Sequence, residues 1–157
     1  MSLTFRKRNY DLSKYEICEN CLAPIVQING KRECLYEWLN NRCIHREVVD
    51  IVPLPNDPSE DEWRAVGVVL QNGFMIPVDI ACLDYDLNRI VTINERLIGL
   101  EVVDVAWVIE NTDSQLTGRA CVVDLSTPRR RHVVTLSCNI DILVYMLNDE
   151  LFRRVEP

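Results

Sequence analysis

Residues 64–80 read RAVGVVLQNGFMIPVDI, and this stretch decides the fold class. Two runs rich in valine and isoleucine, 64–71 and 74–80, flank the dipeptide Asn72-Gly73. Asn-Gly suits a two-residue type I′ turn, because both central residues of that turn need a positive φ. The stretch therefore predicts a β-hairpin.

The sequence after this hairpin predicts further strands at 88–93, 100–110, 119–125 and 131–137. Within 100–110, strict alternation places Val103, Val105, Trp107 and Ile109 on one face. The connections are too short for helical crossovers, so we expect a six-stranded antiparallel sheet or barrel. Apolar residues at helical spacing after Asn139 predict a C-terminal helix with that residue as its cap.

The region before the hairpin has a different composition. Residues 1–50 contain closely spaced cysteines, and residues 33–41 predict a short helix with Leu35, Trp38 and Leu39 on one side. Residues 51–62 contain three prolines and four acidic residues, which indicates a linker or a crossing loop. We expect an α+β, mainly β protein: a small zinc-binding module at 1–50, a proline and acidic linker at 51–62, and an antiparallel β domain with a C-terminal helix at 63–157.

Charge and hydropathy restrict the partners. Seventeen Lys and Arg against 24 Asp and Glu leave a net charge of −7, which disfavours general affinity for nucleic acid. No apolar run approaches the roughly 20 residues that cross a bilayer, and the polar start lacks a secretory signal. We therefore expect an intracellular, cytoplasmic protein without a membrane partner. The cluster Arg129, Arg130 and Arg131 is the candidate contact for nucleic acid or an acidic partner.

Seven cysteines without a secretory signal do not predict a disulfide framework. Cys82, Cys121 and Cys138 stand in apolar stretches and are expected to be buried as small apolar side chains. The remaining cysteines are clustered, and a Cys-x-x-Cys pair in a tight turn presents two thiolates to one zinc ion. The predicted zinc ligands are Cys18, Cys21, Cys34 and either Cys43 or His45.

Residues 15–46 resemble a RING-type, treble-clef-like zinc finger. The segment 15–25, YEICENCLAPI, is similar to the opening of that family, and Cys34 to Leu39 with Cys43 and His45 is similar to its helix and closing knuckle. Residues 27–33 contain neither cysteine nor histidine, so we expect one zinc ion rather than the two that the family binds.

The function expected from these features is a non-enzymatic, zinc-binding regulatory or adaptor protein that acts on another macromolecule, a protein before a nucleic acid. Small acidic chains of this kind are common among viral accessory factors that counteract host defence, including suppressors of RNA silencing. The first alternative is nucleic-acid binding through the Arg129–Arg131 turn and the zinc module. The second is a cysteine-dependent enzyme, with Cys18 and Cys21 as a redox pair or Cys43 and His45 as a nucleophilic pair.

Overall fold

The computed structural model describes residue 8 and residues 10–54, 63–81, 96–108, 118–127 and 130–148. The elements with both ends in these residues are β1 Tyr10–Asp11, β2 Glu16–Ile17, β3 Pro24–Ile28, β4 Lys31–Cys34, α1 Leu35–Cys43, β5 Val48–Pro53, β6 Trp63–Leu70, β7 Met75–Ala81, β8 Glu101–Val108, β9 Gly118–Thr127, β10 Arg130–Cys138 and α2 Ile140–Leu147. The protein is mainly β, as predicted.

Strands β6 and β7 form the predicted hairpin. Its turn has three residues rather than two, because Leu70 donates its N–H to the Phe74 carbonyl across it at 2.8 Å. Gly73 supplies the positive φ of this turn, at 87°. An Asn-Gly turn with two positive φ values joins β3 and β4 instead, where Asn29 has φ 54° and Gly30 has φ 78°.

The strands form an antiparallel sheet in the order β8, β9, β10, β7, β6, β5, and β1 adds a short seventh strand to β9. The sheet closes on itself, because four backbone hydrogen bonds of 2.8–3.0 Å join residues 45–48 to residues 99–102. The predicted six-stranded antiparallel sheet is therefore present as a closed ring. Strand β5 takes a place in it that the sequence did not predict, and the predicted strand at 88–93 lies outside the described residues.

The prediction that alternation places Val103 on the same face of β8 as Val105 and Trp107 is wrong. Val103 is exposed, whereas Val102, Val105 and Trp107 are buried. The pairing of β8 with β9 shifts between Val102 and Asp104, so Val103 is the extra residue of a β-bulge and points outward. Strict alternation fails here because a bulge changes the face of every residue before it.

Helix α1 buries the predicted side chains Leu35, Trp38 and Leu39. The Trp38 ring packs edge-on against Phe74, with 5.4 Å between ring centroids. Residues before 50 and after 63 thus belong to one buried cluster. Residues 51–53 lie in β5, and the domain boundary predicted at 51–62 stays a prediction.

Helix α2 begins as predicted, since the Asn139 side chain accepts a hydrogen bond from the Ile142 N–H at 2.9 Å. The Asn139 amide also donates to the buried carboxylate of Asp79 at 2.9 Å, and the Tyr10 hydroxyl donates to the same carboxylate. This network connects β1, β7 and the start of α2. Within the described residues, no helix has the length and apolar character needed to cross a membrane.

Two of the predicted buried cysteines are confirmed. Cys121 and Cys138 are fully buried and directly paired across β9 and β10. Cys82 lies outside the described residues.

We expect Trp38→Ala to lower the free energy of unfolding by about 3–5 kcal/mol, because it removes a buried aromatic side chain that joins α1 to the ring. Chemical denaturation followed by circular dichroism measures this change. The exposed Tyr145→Ala is the control and should cost no more than about 0.5 kcal/mol. We expect one transition. Two separate transitions would support independent unfolding of residues 1–50.

Burial and the nearby Asp79 carboxylate raise the pKa of Tyr10 above its ordinary value. We expect Tyr10→Phe to cost about 1–3 kcal/mol at neutral pH, because Asp79 loses a donor. Above about pH 10 the unfolded chain gains by ionising Tyr10 while the folded chain does not, so the wild-type advantage shrinks. Denaturation at pH 7 and pH 11, with Tyr145→Phe as the control, measures it. A difference that grows with pH would contradict the assignment.

Candidate metal centre

Cys18 and Cys21 lie in the tight turn between β2 and β3. The turn is closed by two backbone hydrogen bonds of 2.9 Å, from Cys18 N–H to the Ala23 carbonyl and from Leu22 N–H to the Cys18 carbonyl. Leu22 has φ 64°, a left-handed conformation that is costly for a residue with a branched side chain. The turn therefore holds a strained backbone that brings two thiols to one side.

Cys34 reaches the same place from β4. It pairs with Ile25 in the ladder between β3 and β4, which positions it beside the turn. It is also the N-cap of α1, and its side chain makes no capping hydrogen bond.

The three thiols form one cluster. The Cys21 sulfur lies 3.3 Å from the Cys18 sulfur and 3.3 Å from the Cys34 sulfur, and all three lie within 4.8 Å of one another. Sulfurs bound to one tetrahedral zinc ion at about 2.3 Å stand about 3.8 Å apart, so a small outward movement would admit the ion. The cluster fits a thiolate-binding metal.

The thiols of the cluster differ in acidity. The Cys21 N–H donates to the Cys18 sulfur and lowers the pKa of Cys18 below its ordinary value. Partial burial raises the pKa of Cys21 to about 12, and its hydrogen bonds with Cys18 and Cys34 act in the same direction. A metal ion would replace the protons of this cluster, so binding would release protons and weaken as pH falls.

The structure does not bring Cys43 or His45 to the cluster. Cys43 ends α1, nine residues after Cys34, and a helix of that length separates the two by about 13 Å. Its thiol is fully buried, and burial raises its pKa well above the ordinary value. His45 is exposed, and its Nδ1 lies 3.1 Å from the Glu101 carboxylate. Among the described residues, the metal cluster consists of Cys18, Cys21 and Cys34.

Two residues of the arginine cluster lie at the start of β10. Arg130 opens β10 and pairs with Thr127, and Arg131 follows it in the strand. Arg129 lies outside the described residues. The role of these arginines in binding stays a prediction.

Sequence reasoning missed two features around this centre. The Asn29-Gly30 turn, which aligns Cys34 with the Cys18–Cys21 turn, carries the same dipeptide signal as Asn72-Gly73 and could have been found. The pairing of residues 45–48 with residues 99–102 gives no local signal, because it joins segments more than 50 residues apart.

No family model matches the chain, and comparison with curated proteins and with solved structures found no match. The resemblance to the RING-type finger therefore rests on the residues of 15–46 alone.

We expect Cys21→Ser to abolish tight zinc binding, because it removes the thiol that lies between the other two. Cys43→Ala and His45→Ala are the matched controls and should keep about one zinc per chain. Elemental analysis of the purified proteins after gel filtration gives the stoichiometry. Loss of zinc in either control, or retention in Cys21→Ser, would contradict this ligand set.

Proposed function

We propose that this chain is a non-enzymatic, zinc-binding regulatory or adaptor protein that acts through contact with another macromolecule, in the first place a protein. The observation that carries the proposal is the convergence of three cysteine sulfurs within 4.8 Å at the junction of a tight turn and a helix start. A role as a viral accessory factor that suppresses RNA silencing remains a prediction of the sequence.

The donor set supports zinc. Thiolate sulfur is a preferred zinc ligand, and zinc has no redox chemistry that would oxidise the cluster. The described cysteines are free thiols, which supports a reducing, intracellular and in particular cytoplasmic location. The Glu37 carboxylate, three residues after Cys34 in α1, does not lie within 4.8 Å of all three sulfurs, so a fourth ligand would come from water or from a further residue.

The position of the Cys18-x-x-Cys21 pair supports a structural metal over redox catalysis. Redox pairs of this type stand between a strand and a helix of a βαβ unit. Here the pair lies between two strands of a small antiparallel sheet. Cys43, the other candidate nucleophile, is fully buried, and its raised pKa disfavours the reactive thiolate.

A structural zinc would act on the elements that supply its ligands. The small sheet of β2, β3 and β4 is short, and its buried side chains are the three of β3 at Pro24, Val26 and Ile28. Such an element buries little apolar surface, so metal binding would contribute directly to its folding free energy. Zinc would thereby fix the start of α1.

We expect removal of the metal to loosen residues 16–36 while the ring of strands stays folded. Hydrogen exchange with mass spectrometry compares the zinc-loaded protein with the protein after chelation under reducing conditions. Protection should fall at least tenfold for amides in β3 and β4 and change little in β6 and β7. The Cys21→Ser protein should match the chelated protein.

Two outcomes would contradict the proposal. Unchanged exchange on metal removal would mean that the ion does not stabilise the module. Loss of a catalytic activity on alkylation, with zinc retained, would favour the cysteine-dependent enzyme instead.

A further inference from the structure

The closure of the ring creates a distinct surface. We call residues 45–50 and 98–104 the seam. Within it, Val48 donates its N–H to the Leu100 carbonyl at 2.8 Å, and Val102 donates to the Arg46 carbonyl at 3.0 Å. Glu47 and Glu101 form the β-bridge between the two segments. The backbone of the seam is thereby held in a fixed register.

The seam exposes aliphatic side chains. Val49, Ile98 and Val103 are 46%, 44% and 41% exposed. They are three of the five large hydrophobic side chains that are exposed in the described part of the chain. Val49 and Val103 each lie at a register shift, so two bulges turn residues outward that regular strands would not. Val49 lies in β5, Val103 in β8 and Ile98 in the turn before β8, so the seam carries three of the four exposed aliphatic side chains of the described residues, and exposed apolar side chains gathered in one region favour a binding surface.

The same surface is acidic. Its carboxylates are Glu47, Asp50, Glu101 and Asp104, and its one arginine is Arg46. The bridge places Glu47 directly opposite Glu101, and like charges at such positions repel each other. The His45 Nδ1 lies 3.1 Å from the Glu101 carboxylate. A cation supplied by a partner would relieve the repulsion between the two glutamates.

We propose that the seam binds a basic, aliphatic segment of a partner protein. Aliphatic side chains of the segment would contact Val49, Ile98 and Val103, and its lysines or arginines would pair with Glu47 and Glu101. This inference rests on the proposed adaptor function and names the surface and the chemistry of the partner.

The negative charge of the seam disfavours two other ligands, a nucleic acid and a second copy of this chain. A nucleic acid would bring its phosphates against four carboxylates. A second copy of this chain, joined seam to seam by a twofold axis, would bring the same carboxylates against each other. A basic peptide instead removes the repulsion between the two glutamates, so complementarity favours it.

The metal centre and the seam lie at opposite ends of α1. Cys34 caps the start of the helix, and the seam begins two residues after its end. The seam is the surface through which a zinc-stabilised module would present its partner site.

The test uses the full-length, zinc-loaded protein and a defined probe. The probe is an acetylated and amidated octapeptide of alternating leucine and lysine, and the matched peptide has glutamate in place of lysine. Nuclear magnetic resonance titration locates the binding surface and gives the dissociation constant. The test variant is Glu47→Gln with Val49→Ser. The control is Asp141→Asn with Tyr145→Ser, which also removes one carboxylate and one exposed apolar side chain, on α2.

We expect chemical-shift changes confined to the seam, weaker binding at high salt and no binding of the glutamate peptide. The seam variant should lose about tenfold in affinity and the control less than about twofold. Equal losses in both variants, or shifts spread over the whole acidic surface, would overturn the seam. So would tighter binding of a single-stranded RNA than of the lysine peptide. If the protein binds zinc but does not bind the lysine peptide, the proposal for the seam is wrong and the proposed zinc-binding function is unaffected.

Discussion

Four backbone hydrogen bonds between residues 45–48 and residues 99–102 turn a sheet into a closed ring. An open sheet would leave β5 and β8 as edges with unpaired N–H and C=O groups, which invite pairing with other chains. Closure pairs the backbone groups at the start of each of these two strands and separates an inner from an outer face. The buried valines, isoleucines and leucines of β5 to β10 fill the inside of the ring, and the two bulges beside the closure decide which side chains face out.

Closure also positions α1, whose start carries one residue of the candidate metal centre. The chain enters the closing segment directly from α1, so the helix must lie against β8 and the hairpin turn. Asn72 secures this arrangement by donating a hydrogen bond from its side chain to the Arg42 carbonyl at 3.0 Å. The start of α1 then carries Cys34 to the turn that holds Cys18 and Cys21. The candidate metal centre lies where β2, β3, β4 and the start of α1 meet, and these elements are close in sequence. The ring, in contrast, depends on pairing between segments that are far apart in sequence.

Local patterns predicted the local structures. The β6–β7 hairpin, the buried face of α1 and the Asn139 cap of α2 each follow from a few consecutive residues. Predictions that depended on register were weaker. Val103 alternates correctly in the sequence but lies at a bulge, and residues 51–53 of β5 belong to the stretch whose prolines indicate a linker or a crossing loop. Bulges and strand pairing between distant segments leave no local pattern in the sequence, so they could not be predicted from it.

The candidate site shows the same limit. The spacing of Cys18, Cys21 and Cys34 along the sequence was enough to predict that they cluster, because a tight turn and a hairpin determine their positions. The sequence predicts Cys43 or His45 as the fourth ligand, whereas α1 separates Cys43 from Cys34 and His45 lies beyond the end of that helix. Residues that are close in sequence are far apart here, because the nine-residue helix α1 stands between Cys34 and Cys43.

The central proposal is that Cys18, Cys21 and Cys34 bind one zinc ion, with no fourth cysteine of the described residues among its ligands. Zinc K-edge X-ray absorption on the protein as isolated counts the atoms bonded to the metal. The account predicts three sulfurs at about 2.3 Å and one oxygen or nitrogen at about 2.0–2.2 Å. Four sulfurs would contradict it by requiring a further cysteine such as Cys43, and a set of ligands without sulfur would remove the centre altogether.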